Sequence, residues 1–338
     1  MYRTGVGTAP PPADRAAPLS FPDRDPRVAA MTRNSTFPRR FRRAGAAFTA
    51  GAVLVGTLAA CASPAAQSPA APSPTSVPVT TASPPTDPTV RKVTNHGHEL
   101  AFHVTPGRLP AIVLDAGGGA DSSYWKDLVP RLARDTGSEI ITYDRAGTGA
   151  SDEVPGPWKV QDAVSDLEAG LTQLGATKDV MLVSHSLAGE IATYFANRNP
   201  RWVTGAVLVD ASLPTFYTDG EVARIEAVNA KQIEELKKQP STKQNRQLLA
   251  VAEGYGDLHR AYHKISWPES VPATVIVSAK TPFDTPDDAQ AWRDAQARFA
   301  ASAPNRELAV AGNSSHEIPV DRPDVVLKAV VDMAKKLG

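Results

Sequence analysis

Ser186 sits in the stretch Val183-Ser184-His185-Ser186-Leu187-Ala188-Gly189-Glu190, where a run of apolar residues turns into a helical pattern. A serine hydroxyl is a poor nucleophile near neutral pH. It needs a base within hydrogen-bond reach, a third group that fixes the base's tautomer, and two N–H donors aimed at the developing oxyanion. The chain offers candidates for each part. His316 lies 130 residues downstream and is the candidate base. His185 is adjacent to Ser186, so its side chain points away from it, and it reads as packing. For the acid two positions stay open. Asp210 ends the run Leu208-Val209-Asp210, and Asp284 follows Val277 by several residues, with Asp287 or Asp288 behind it. Asp210 is preferred because it stands directly at a strand end.

Residues at these positions meet only if strands and helices bring them together. Val90–Val93 and Glu99–Val104 predict a hairpin. Strands are then expected at 110–115, 138–143, 179–183, 204–209, 273–277 and 307–310. Helices are expected through Trp125, Leu128, Val129 and Leu132, and over 161–174, 187–199, 287–300 and 324–337, from apolar residues at helical spacing. Strands alternating with helices predict a mostly parallel sheet covered on both faces. In such sheets functional groups gather at the carboxyl ends of the strands, where Ser186, Asp210, the glycine triplet and His316 all fall. The rhythm breaks between Leu213 and Glu269. That stretch reads as a helical cap (about 213–270), with Phe216, Tyr217, Tyr255, Tyr262 and Trp267 giving its underside an aromatic character.

Four stretches resemble the α/β-hydrolase superfamily over nearly all of residues 95–338. Asp115-Ala116-Gly117-Gly118-Gly119, leading to Trp125, resembles the oxyanion loop, which implies oxyanion donors at the backbone N–H groups of Leu187 and of Gly118, with Gly117 next. Tyr143-Asp144-Arg145-Ala146-Gly147-Thr148-Gly149-Ala150-Ser151-Asp152 resembles the family's YDRxGxGxSD stretch. Val183–Gly189 resembles its GHSLGG elbow, and His316–Pro323 its GHxxxxxxP loop. The resemblance implies an eight-stranded sheet, a cap inserted after strand six, and catalytic groups in the order serine, aspartate, histidine. It also implies an acid after strand seven or, failing that, after strand six. The elbow departs from the family pattern, with Ser184 and Ala188 where glycines are usual. Both are small, so the turn is expected to survive. Asp144 and Arg145 are expected to brace the loop beside the site.

Bulk properties narrow the partners. Thirty-six basic and 36 acidic residues cancel in a chain of 338, so no global charge suggests nucleic acid. One cysteine excludes an intrachain disulfide. His96, His98, His103, His259 and His263 show no metal spacing, and neither metal nor cofactor is expected. Gly117–Gly119 opens no G-x-G-x-x-G pattern.

The first quarter reads as an address. Fifteen of the 30 prolines lie before residue 91. Arg39-Arg40-Phe41-Arg42-Arg43 precedes an uncharged stretch over 44–60 and then Cys61. A basic region, a short apolar region and small residues describe a signal peptide, and the run is shorter than the roughly 20 residues a spanning helix needs. Leu58-Ala59-Ala60-Cys61 resembles a bacterial lipobox, which implies lipidation of Cys61 and anchoring on the outer side of the cell membrane, with plain secretion as the alternative. Paired arginines also allow twin-arginine export. Residues 31–61 are expected to be the signal peptide, with Met31 as the start or 1–30 as an extension. Residues 62–89 are expected to form an Ala/Ser/Pro/Thr-rich spacer, and 90–338 the enzyme domain.

The expected activity is therefore serine hydrolysis of an ester-like carbonyl in a small molecule. Cofactor-free perhydrolysis or carbon–carbon cleavage on the same groups is the alternative, as is a binding protein with a degenerate elbow. Relatives with an aspartate nucleophile are set aside, because Ser186 fills that position.

Overall fold

The computed structural model describes residues 87–338. Cys61, the stretch expected to be a signal peptide and the expected spacer up to residue 86 lie outside the described residues. Eight strands form one sheet in the order β1-β2-β4-β3-β5-β6-β7-β8. They are β1 (Thr89–Asn95), β2 (His98–Thr105), β3 (Arg108–Asp115), β4 (Ser138–Asp144), β5 (Val180–His185), β6 (Val203–Val209), β7 (Ala273–Ser278) and β8 (Arg306–Ala311). β1 and β2 pair as an antiparallel hairpin, and β2 is antiparallel to β4. Every pairing from β4 through β8 is parallel. This is the α/β-hydrolase fold.

Helices cover both faces, as a parallel sheet requires. Period-two alternation divides each central strand between two cores. On β3, Ala111 and Val113 face a layer containing Val164, Leu167 and Leu171 of α2 (Val160–Leu174) and Phe195 of α3 (Ala188–Arg198). Ile112 and Leu114 face the other layer, with Leu132 of α1 (Val129–Thr136) and Val326 and Val330 of α9 (Pro323–Leu337), which follows the one-turn α8 (Ile318–Asp321). Each such Val, Leu, Ile or Phe side chain, fully buried, contributes about 1.5–3 kcal/mol. Gly137 and Gly175 end α1 and α2 in left-handed conformation.

One expected helix is two pieces. Trp125 belongs to a short 3-10 helix, Ser122–Trp125, and α1 begins separately at Val129. Pro130 explains the break, since proline is accepted in the first turn of a helix and not in its interior. Trp125, Leu128 and Leu132 still reach the same core.

Between β6 and β7 stand three helices, α4 (Asp219–Lys237), α5 (Lys243–Glu253) and α6 (Tyr255–Tyr262). Thr218 and Thr242 cap α4 and α5 through their hydroxyls. On one side the Tyr262 hydroxyl donates to the Ser212 carbonyl at 2.9 Å, and His259 Nε2 meets Glu190 Oε1 at 2.8 Å, fully buried. On the other side Lys243 donates to the carbonyls of Thr148, Gly149 and Ser151, and Arg246 clasps Glu153 through two bonds. Leu248 of α5 lies directly over Gly119. The aromatic underside differs from expectation in one member. Phe216, Tyr217 and Tyr262 do pack below the cap, with Trp292 of α7 (Pro286–Ala301). Trp267 instead belongs to the main core against Phe299, its indole N–H on the Val271 carbonyl.

Candidate active site

β5 runs straight into a tight turn whose apex, Ser186, has φ of 53°. That left-handed conformation costs a non-glycine residue on the order of 1–3 kcal/mol and persists only where the surroundings over-determine it. Here they do. The Ser186 N–H donates to the Val209 carbonyl at 3.2 Å, and the Ser186 carbonyl accepts from the Gly189 and Ser212 N–H groups at 2.9 Å each. The turn is thus stitched to the end of β6 on both sides.

The close approach that demands glycine falls at 189. A Cβ there would sit 2.5 Å from the Ser212 carbonyl oxygen and 2.8 Å from Ala211 Cβ. Ser184 is accommodated inside β5 and Ala188 is fully buried at the start of α3. The two departures from the family's glycines are therefore compatible with the turn. Gly189→Ala is expected to destabilise the protein by about 1–3 kcal/mol, the usual cost of overpacking. Urea unfolding should show a lower midpoint at unchanged slope. An unchanged midpoint would mean that the crossing has slack.

The structure brings Ser186, His316 and Asp210 together. His316 Nε2 is 2.9 Å from Ser186 Oγ, and His316 Nδ1 is 2.7 Å from Asp210 Oδ2. Asp210 follows β6 at φ 40°, another left-handed residue, held by its N–H on the Ile276 carbonyl. Its carboxylate is fully buried and receives three further bonds. Oδ1 accepts from the Ser278 N–H and from the Trp292 indole, and Oδ2 accepts from the Ser278 hydroxyl. Burial alone pushes this carboxyl up. The hydrogen bond and charge of His316, then Ser278 and Trp292, outweigh it and hold the group below its ordinary value. An ionised carboxylate only accepts, so Nδ1 carries the ring proton and Nε2 is left to accept from the serine.

Asp284 and Asp287 are exposed, and Asp288 in the first turn of α7 pairs with Arg224 and Thr285. None of them meets His316. At the end of β7, where the family resemblance left room for an acid, stands Ser278, and it serves as a donor to Asp210.

His185 packs beside the pair and also makes a hydrogen bond that sequence reasoning missed. Its Nε2 lies 3.0 Å from the backbone carbonyl of His316, its ring is stacked on Tyr124, and it is buried. Burial, then the neighbouring His316, pushes its pKa down to about 3. A neutral ring bonded to a carbonyl must donate, so His185 Nε2–H fixes the main chain from which the His316 imidazole projects.

The glycine loop completes the site. Arg145, buried, donates to the carbonyls of Ala116 and Gly117 and pairs with Asp115. With their carbonyls turned to Arg145, the peptide units of this loop are oriented as a group. Asp144 caps the next turn, accepting from the Ser122 and Ala150 N–H groups. Gly117 is the glycine against Ser186: a Cβ on it would lie 3.2 Å from Ser186 Cβ and 2.9 Å from His185 Nδ1. Gly118 lies over the Leu187 side chain. His259 and His263 have separate partners, Glu190 for the first and the Pro214 carbonyl for the second.

The sequence pattern of the alpha/beta hydrolase family matches residues 112–329, from β3 into α9. The chain belongs to that family. Among its relatives, the uncharacterized protein YqjL of Bacillus subtilis is 27% identical over 226 residues, covering 66% of this chain and 82% of that one. RutD of Pseudomonas savastanoi, provisionally named a carbamate hydrolase, is 31% identical over 103 residues, 30% of this chain and 39% of RutD. A thermophilic esterase from Thermogutta terrifontis superposes with a TM-score of 0.51 at 21% identity, covering 74% of this chain and 99% of that one, a likeness of fold. This alpha/beta hydrolase is accordingly an enzyme of the hydrolase superfamily.

Proposed function

We propose that the protein is a serine hydrolase that cleaves an ester-like carbonyl in a small molecule. The observation that carries this reading is the 2.9 Å approach of Ser186 Oγ to His316 Nε2, with Asp210 on the far side of the ring. Ser186 Oγ attacks the carbonyl carbon while its proton passes to His316 Nε2. The oxyanion rests on the N–H groups of Leu187 and of the glycine loop, where Gly117 is nearer the nucleophile than Gly118. Collapse of the tetrahedral intermediate expels the alcohol, which takes the proton from His316. Water then attacks the acyl-serine with His316 as base, releasing the acid and restoring Ser186. Asp210 stabilises the imidazolium that forms in both halves. A carbamate carbonyl meets the same requirements, and the similarity to RutD supports including it in the substrate class.

The local sequence at Leu58–Cys61 supports a lipid-anchored, exported protein, with the hydrolase domain held outside the membrane. A fluorophosphonate probe, which phosphonylates activated serines, tests the catalytic reading. Wild type is expected to be labelled stoichiometrically and Ser186→Ala not at all. Folded wild type that resists the probe overturns the proposal.

A further inference from the structure

We propose that Tyr124 and Glu317 are positioning residues for His316, and that the hydrogen bond between them keeps the imidazole in register with Ser186. The inference rests on the reading of Ser186 as nucleophile and His316 as base.

His316 stands on the loop between β8 and α8, so its ring is only as well placed as that loop. Bonds within the loop close it on itself. The Ser315 N–H and hydroxyl donate to Asp321 Oδ2 at 2.7 and 2.6 Å, and the Asp321 N–H donates to the Glu317 carbonyl at 2.9 Å. These give the loop a shape but do not fix where it lies against the nucleophile turn. Two contacts with other elements do. One is the bond from His185 to the His316 carbonyl. The other is one residue further on, where the half-buried Glu317 carboxylate accepts from the Tyr124 hydroxyl at 2.8 Å, across 193 residues.

The two contacts are joined. The Tyr124 ring stacks on His185 with centroids 5.0 Å apart, and the His185 ring lies 4.7 Å from that of His316. Tyr124, Glu317, His316 and His185 therefore form a closed circuit, and His185 is the residue next to Ser186. Tyr124 itself stands on firm ground. It lies in the 3-10 helix capped by Asp121, beside the fully buried Trp125, with the Ser122 N–H held by Asp144. Burial, then the charge of Glu317, pushes the Tyr124 phenol above its ordinary value, so the hydroxyl keeps its proton and the bond its direction. The bond involves neither Ser186 Oγ nor the His316 ring, so it acts through placement. Placement matters because a shift of about 1 Å in a reacting group can cost on the order of a hundredfold in rate.

Three substitutions separate the possibilities. Tyr124→Phe removes the hydroxyl and keeps the ring, Glu317→Ala removes the acceptor, and Glu317→Gln keeps an acceptor oxygen without the charge. With p-nitrophenyl acetate, kcat is expected to fall about tenfold in Tyr124→Phe and in Glu317→Ala, and no further in the double variant, at a KM within about twofold of wild type. Glu317→Gln is expected to recover most of what Glu317→Ala loses, with an unchanged pH profile. A second readout needs no turnover. The ring nitrogen resonances of His316, assigned by their loss in His316→Ala, should be single in wild type and in Glu317→Gln, and broadened or doubled in Tyr124→Phe and Glu317→Ala. Four results overturn the proposal: kcat in Tyr124→Phe within about twofold of wild type, losses that add in the double variant, Glu317→Gln as slow as Glu317→Ala, or His316 resonances unchanged in Tyr124→Phe. Wild type that shows neither turnover nor fluorophosphonate labelling fails the hydrolase reading instead, and the nitrogen resonances still decide whether Tyr124 and Glu317 place His316.

Discussion

His316→Ala is expected to turn over p-nitrophenyl acetate and p-nitrophenyl butyrate on the order of 10⁵–10⁶ times more slowly than wild type, the scale seen when the base of such a unit is removed. The geometry gives the reason. His316 Nε2 is the acceptor found 2.9 Å from Ser186 Oγ, and without it the hydroxyl keeps its proton through the attack. Nothing nearby substitutes. The His185 ring is engaged through Nε2 with the His316 carbonyl, and its remaining nitrogen faces Gly117. That carbonyl belongs to the main chain and survives in the alanine variant, so the loop should hold its shape. Thermal unfolding checks that the loss is chemical. The effect should fall on kcat, because the bond lost is used in the transition state. Equal rates for the two proteins would favour a binding protein on a hydrolase scaffold.

Asp210→Asn is expected to lower kcat by about 10⁴, by way of the tautomer. All four partners of the carboxylate donate: the Ser278 N–H and the Trp292 indole on one oxygen, the Ser278 hydroxyl and His316 Nδ1 on the other. Asparagine must turn its NH₂ toward one of these pairs. Facing His316, it reverses the ring, so that Nε2 carries the proton and can no longer accept from Ser186. Facing Ser278 and Trp292, it sets donor against donor in a fully buried site. The same carboxylate leaves a signature in stability. Its pKa is held below the ordinary value, so its contribution is complete above about pH 3.9 and is lost as the pH falls through the folded value. Asp210→Asn should lack that part of the acid limb in a pH series of unfolding free energies. Activity within tenfold of wild type would remove Asp210 from the mechanism.

The serine and histidine could be found in the sequence because each sits in a short local pattern: a strand-to-helix turn for Ser186, a loop between strand and helix for His316. The parallel sheet was legible for a related reason, since its strands are continuous apolar runs and its helices have a clean apolar face. The acid was harder. Two strands each lead to an aspartate, and the choice depends on which carboxylate finds donors in space. Ser278 and Trp292 make that choice, and they lie 68 and 82 residues from Asp210. The His185 bond to the His316 carbonyl spans 131 residues and was invisible for the same reason. Pro130 is the local signal for the break before α1, and the apolar spacing that runs across it masks that signal. Trp267 stands in the stretch that interrupts the strand–helix rhythm, yet packing takes it into the core.

The left-handed backbone at Ser186 has a consequence for anyone who would evolve this enzyme in the laboratory. Glycine occupies such a conformation at no steric cost, and the side chain it would delete is only partly buried. A selection that rewards heat tolerance alone therefore has a single-substitution route to a sturdier protein that, on the proposed function, is inert, and the proposed nucleophile is the position under pressure. Libraries aimed at robustness need turnover in the screen from the first round.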